Sequence, residues 1–181
     1  PVQEIGTTDR QGTITRFKAD PEIFATIEFS FDMLSARLRE LAFLNRGVSI
    51  ELIDNRSEQQ RSSSFKFDGG VHSFVEYLHE NKKTIHDPVI AFEGERAGVV
   101  IDIALAYNDG YNEQLFSFAN NVNTREGGTH LSGFRGALTR TLNDAMRRMK
   151  LGKKDDEALS GEDAREGLTA VISVKVPEPQ F

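Results

Sequence analysis

No cysteine occurs among the 181 residues. That rules out a disulfide framework, thiolate metal sites and cysteine nucleophiles, and it fits a reducing cytoplasm. No uninterrupted apolar run approaches the ~20 residues that a membrane helix needs. Residues 1–5 carry neither a basic nor an apolar leader segment, so the expectation is a cytoplasmic chain without a membrane partner. A basic excess is missing as well: 28 acidic against 22 basic side chains give a net charge of -6. Any nucleic-acid contact therefore has to be local rather than a property of the whole surface. Also absent are the phosphate-cradling G-x-x-x-x-G-K-[ST], the dinucleotide G-x-G-x-x-G and the nucleophile elbow G-x-S-x-G. No catalytic constellation is complete, and no residue is assigned as catalytic.

What remains is a chain of one-domain length with ordinary apolar content, so residues 1–181 read as a single domain. The sequence opens on proline rather than methionine and stops while still reading as extended, as a fragment of a longer chain would. Alternation of apolar and polar residues predicts strands over 13–18 and 24–29, with Asp20-Pro21-Glu22 as the turn between them. Helical spacing follows from Phe31, with Leu34, Leu38, Leu41 and Phe43 or Leu44 inward and Ser30 or Asp32 as cap. Strands over 48–53 and 64–67 flank a polar loop. A second helix begins after Gly69-Gly70, with Val71, Phe74, Val75 and Leu78 inward.

Three strand-like runs come next, at 89–92, 99–107 and 114–119. Glu93-Gly94-Glu95 separates the first two, and Asn108-Asp109-Gly110 reads as a hairpin turn before the third. The longest helix is expected from about Thr129 to about Lys150, burying Leu131, Phe134, Leu138, Leu142, Ala145 and Met149. A charged, mobile connection over 151–160, a short turn at 162–166 and a hydrophobic strand at 168–176 complete the chain. The fold class is α+β: a two-layer sandwich of a mixed sheet with helices on one face.

The segment Arg125-Glu126-Gly127-Gly128-Thr129-His130 carries the most information. Two glycines at the positive end of a long helix allow close backbone approach and an anion site. On the residues alone the commoner role of such a pair is a tight strand-to-helix turn, here capped by Thr129. Arg135, Arg140, Arg147, Arg148, Lys150, Lys153 and Lys154 concentrate positive charge on and after this helix, as a phosphate-facing stripe or as a solvated, dipole-favoured helix end. Glu162, Asp163 and Glu166 read as acids favoured in a first helical turn rather than as an acid/base pair. His72, His79 and His130 lack the spacing of a zinc site, and no metal ligand is assigned.

Six segments, taken in order, resemble a known family: Asp20-Pro-Glu-Ile-Phe24, Phe43-Leu-Asn-Arg-Gly47, Gly69-Gly70 before Phe74-Val-Glu-Tyr-Leu78, Asn108-Asp-Gly110, Arg125-Glu-Gly-Gly-Thr-His130 and Asp163-Ala-Arg-Glu-Gly-Leu-Thr-Ala170. They are similar to the second, transducer domain of DNA gyrase B, the ATPase component of a bacterial type IIA topoisomerase. The likeness covers essentially the whole chain, and residues 133–143 look more like gyrase than topoisomerase IV. The resemblance implies a left-handed βαβ crossover of the kind found in a small-subunit ribosomal protein domain, against the usual handedness.

It also implies a role in coupling ATP binding and hydrolysis in a preceding N-terminal ATPase domain to DNA strand passage and negative supercoiling. ATP and Mg are expected in that parent enzyme and no cofactor in this fragment. The family's ATP-contacting Gln-Thr-Lys loop would follow the last strand, beyond Pro179-Gln180-Phe181. Implied partners are double-stranded DNA, the gyrase A protein, a second copy of gyrase B and the chain's own ATPase domain. The resemblance places Arg135 in the wall of a DNA-sized hole, with Arg140, Arg147 and Arg148 as further DNA-binding candidates. The alternatives are a topoisomerase IV transducer domain or a free-standing nucleic-acid-binding module of the same fold.

Overall fold

The computed structural model describes residues 3, 4, 6, 7, 9, 15–151 and 158–180. A strand rich in Val, Ile and Ala must be covered on both faces, and Leu168–Lys175, here β7, is buried from Leu168 through Val174. It lies at the centre of a five-stranded sheet with β3 (Ile90–Arg96), β4 (Val99–Tyr107), β5 (Gln114–Ala119) and β6 (Val122–Asn123), in the order β3-β4-β7-β5-β6. β4 runs antiparallel to β7 with Ile103 opposite Ile172, and β5 runs parallel to it with Ser117 opposite Ile172. β1 (Ser49–Asp54) and β2 (Arg61–Lys66) form a separate antiparallel pair.

Successive side chains of β7 point to opposite faces, and this period of two assigns the helices. Val171 packs with Ala104, Ala106 and Phe118 against Phe43 and Leu44 of α1 (Phe31–Leu44) and Val71, Phe74 and Val75 of α2 (Val71–His79). The alanines of β4 leave room there for a stack of aromatic rings, Phe43 lying 3.7 Å from Phe67 and 4.7 Å from Phe74 between centroids. Leu168, Ala170, Ile172 and Val174 face the other way, with Phe134, Leu131 and Leu138 of α3 (Thr129–Met149). The α+β class and the mixed sheet are therefore as the sequence implies. The helix layer is shared between the two faces rather than gathered on one, because a doubly buried central strand needs cover on both sides.

Several local expectations change for physical reasons. Residues 15–18 and 24–29 form no strand, and positions 13 and 14 lie outside the described residues. The Asp20 turn is present, its carbonyl accepting from the Ile23 and Phe24 N–H groups. β-forming composition makes a strand only with a ladder partner and a surface to cover. Here Phe17 is 76% and Ile23 75% exposed, and the Phe17 ring meets the Phe29 ring edge-on. Ser30 caps α1 by accepting from Met33 N, and Phe43 and Leu44 are buried as expected, but the rest of the buried set is Phe31, Ser35 and Ala42, which leaves Leu34 exposed.

β3 runs straight through Glu93-Gly94-Glu95, and the reversal falls at Ala97-Gly98, both at positive φ. Asn108-Asp109-Gly110 is no hairpin, since β7 stands between β4 and β5. The true hairpin joins β5 to β6 through Asn120 and Asn121, whose φ values of 47 and 65 make the primed turn that suits twisted strands. Along α3 only Phe134 is buried, and Met149 at the end of the expected stripe is 67% exposed. The connection expected to be mobile falls largely on residues 152–157, outside the described residues. A one-turn 3-10 helix, Asp163–Arg165, precedes β7. Among the described residues no helix is long and apolar enough to cross a membrane.

Two glycines give opposite predictions. Gly167 has φ +69, and a Cβ there would lie 2.4 Å from the Asn108 carbonyl oxygen. Gly136 lies within α3 with nothing near its missing Cβ. Gly136→Ala is expected to stabilise by about 0.5–1 kcal/mol through helix propensity. Gly167→Ala is expected to destabilise by more than about 1 kcal/mol through backbone strain and overlap. Urea unfolding of both variants checks the signs.

Candidate functional site

The passage from β6 into α3 is built by hydrogen bonds that the sequence places close together. Thr124 donates to the Ser117 carbonyl from its backbone N–H at 2.9 Å and from its hydroxyl at 3.0 Å. Gly127 N–H closes the turn onto the Thr124 carbonyl at 2.9 Å. Gly128 sits at φ +149, and a Cβ there would come within 2.8 Å of the His130 ring. That ring folds back over the turn, with Nε2 3.0 Å from the Thr124 hydroxyl. Gly128, not Thr129, occupies the cap position, and no side chain caps the helix; Thr129 is already its first residue. Burial lowers the His130 pKa from the ordinary 6.5, which keeps the ring neutral near pH 7.

Beside this passage opens a cleft of about 530 Å³, with Arg125, Glu126, Gly127, Leu131, Arg135 and Glu113 on its walls. The sequence-predicted turn and Arg135 are thus brought to one place. Arg135 is not a free cation: its Nε donates to Glu113 Oε1 at 3.2 Å, and its Nη2 lies 3.2 Å from the same oxygen. Arg165 Nε stands 3.0 Å from that oxygen as an ion pair without a well-directed N–H bond. Sequence reasoning passes over Glu113, because nothing local marks a glutamate just before a strand.

Comparison with known proteins then fixes the lineage. The family model for DNA gyrase B matches residues 70–181, more than half of the chain. The chain belongs to the DNA gyrase B family. The DNA gyrase B protein of Myxococcus xanthus is 55% identical over 181 residues, covering 100% of this chain and 22% of that protein. Its counterpart in Halalkalibacterium halodurans is 53% identical, covering 99% of this chain and 28% of that protein. The chain therefore spans about a quarter of the curated relatives it matches. Among solved structures, the 43K ATPase domain of Thermus thermophilus gyrase B, in complex with an aminocoumarin, superposes with TM-score 0.74 at 36% identity. The match covers 90% of this chain and 44% of that one. The Myxococcus xanthus gyrase B structure gives TM-score 0.73 at 27% identity over 87% of this chain and 43% of that one.

The other arginines of this gyrase B family member stand apart from the cleft. With about 100° per residue along a helix, Arg140 and Arg147 align within about 20°, Arg148 lies about 80° from Arg140, and Arg135 about 140° away. The four do not make one stripe. Arg140, Arg147 and Arg148 are all exposed, and Arg147 is paired with Asp144 at 2.5 Å. Among the described residues no carboxylate pairs with Arg140 or Arg148, while Lys153 and Lys154 lie outside the described residues.

Asp163 belongs to a reciprocal cap. Its Oδ2 accepts from Ser160 N at 2.9 Å, and Ser160 Oγ accepts from Asp163 N at 3.1 Å. These bonds lower the Asp163 pKa below the usual carboxylate value, which suits a cap and not a proton donor. Among the described residues no three His, Asp or Glu side chains converge as a metal site.

His79, at the end of α2, is buried with neither ring nitrogen hydrogen-bonded. Burial, with Lys82 and His86 nearby, lowers its pKa from 6.5. Both His79 and His130 thus have folded values below the unfolded one, so on acidification the unfolded chain takes up protons first. Their contribution is complete above about pH 6.5 and is lost as pH falls from there through the folded values. The urea midpoint is expected to be lower at about pH 5.5 than at about pH 7.5, and His79→Phe should shrink the difference. Equal midpoints in the parent chain would contradict this assignment.

Proposed function

We propose that residues 1–181 are a transducer domain of a bacterial DNA gyrase B protein, one domain of a longer chain. On this reading it couples ATP binding and hydrolysis in a preceding ATPase domain to DNA strand passage and negative supercoiling. The observation that carries the proposal is the family match over residues 70–181 combined with a fold shared with a gyrase B ATPase fragment. The chain's own residues contribute mechanics rather than bond chemistry. A sheet whose central strand is buried on both faces moves as one body and passes displacement from one end to the other.

ATP and Mg are assigned to the parent enzyme's preceding domain, a reading supported by the likeness to part of a solved gyrase B ATPase domain. The proposed partners are double-stranded DNA, the gyrase A protein, a second copy of gyrase B and the ATPase domain itself, all in the cytoplasm.

Arg135, Arg140, Arg147 and Arg148 are the candidates for the duplex, Arg135 foremost. Phosphate contacts of this kind are sequence-independent and act through counterion release. In the complete enzyme, Arg135→Ala is expected to reduce DNA-stimulated ATP turnover and supercoiling, and to lower the slope of log affinity against log salt by about 0.9. Unchanged stimulation and slope would remove Arg135 from the DNA path. Separately, the 181-residue chain alone is expected to release no phosphate from ATP. Turnover by the pure chain would overturn the division of labour proposed here.

A further inference from the structure

We propose that Glu113 is an internal competitor for DNA phosphate at Arg135, so that the carboxylate and the duplex hold this arginine in turn. The proposal rests on the reading in which Arg135 meets DNA, and it adds how that contact is regulated. The geometry is specific. A single oxygen, Glu113 Oε1, faces two guanidinium groups: Nε and Nη2 of Arg135, both at 3.2 Å, and Nε of Arg165 at 3.0 Å. The three side chains differ in exposure, 42% for Arg135, 29% for Glu113 and 18% for Arg165. Arg135 is thus the partner that solvent, and a phosphate, can reach.

Removing one partner of an ion pair leaves the other without its counter-charge. Here Arg165 remains against Glu113 when Arg135 leaves, so the carboxylate keeps a counter-charge in both states. This makes exchange easy, where a lone pair would resist it. The positions of the three residues give the exchange a mechanical consequence. Glu113 immediately precedes β5, Arg135 lies on α3, and Arg165 ends the 3-10 helix that leads into β7. The approach to β5, the second turn of α3 and the approach to β7 therefore meet at one carboxylate, and DNA occupancy at Arg135 loosens α3 from the other two.

The test is a fluorescence-anisotropy titration of the full chain with a mixed-sequence DNA duplex, over a range of salt. Thermal melting confirms that each variant is folded. An exposed pair of this strength shifts equilibria by about two- to fivefold, so Glu113→Gln is expected to tighten DNA binding by about that factor. Arg135→Ala should weaken binding, and Glu113→Gln added to Arg135→Ala should change nothing further. Glu113→Asp keeps the charge but draws the carboxylate back from Arg135, and it should tighten binding as well. If Glu113→Gln lowers the melting temperature, this second variant carries the measurement.

Tightening that persists without Arg135 overturns the proposal in favour of bulk charge. So does a parental affinity for Glu113→Asp. If Arg135→Ala weakens binding while neither Glu113 variant tightens it, the competition is wrong and the DNA role of Arg135 stands. If Arg135→Ala has no effect at all, both fall together.

Discussion

The structure depends on the double burial of β7. This strand is also the centre of the sheet, flanked by β4 running antiparallel and β5 running parallel to it. A parallel neighbour requires a crossover, which is why α3 stands between β5 and β7 in the chain. The same requirement places α1 and α2 on one face and α3 on the other. Every later feature follows from this arrangement. It sets the glycine contact between Gly167 and Asn108 at the head of β7, and the cleft between the start of α3 and β5.

At that cleft a polar turn and a group of charged side chains come together. Hydroxyls and a neutral imidazole are mutually satisfied at the turn of Ser117, Thr124 and His130. Next to it Arg135, the more exposed, and Arg165, the more buried, both meet one oxygen of Glu113. A satisfied polar network fixes shape, while a shared ion pair near the surface is readily exchanged.

Much of this is legible in the sequence. The helical spacing from Phe31, the Gly69-Gly70 entry to α2 and the apolar run of β7 each depend on local periodicity, and all three elements are present. The six ordered motifs point to the family through residues that shape turns and helix starts. Local reading fails where one signal is shared by different tertiary outcomes. Residues 15–18 and 24–29 have strand composition without a strand partner. Asn108-Asp109-Gly110 has hairpin composition at a point where the chain must cross over another strand. Asn120 and Asn121, which do form the hairpin, look locally like part of the approach to α3.

The sequence by itself determined the three helices, most of the strands, the α+β class and the family, because propensity, period and motif act over a few residues at a time. Only the tertiary structure decided the strand order, the division of helices between two faces and the partners of Arg135. Those depend on pairings between residues far apart, Glu113 lying 22 positions from Arg135. Charge and spacing along the chain do not encode which distant carboxylate a guanidinium meets. That is settled when the crossover closes on β7 and brings the three chain segments together.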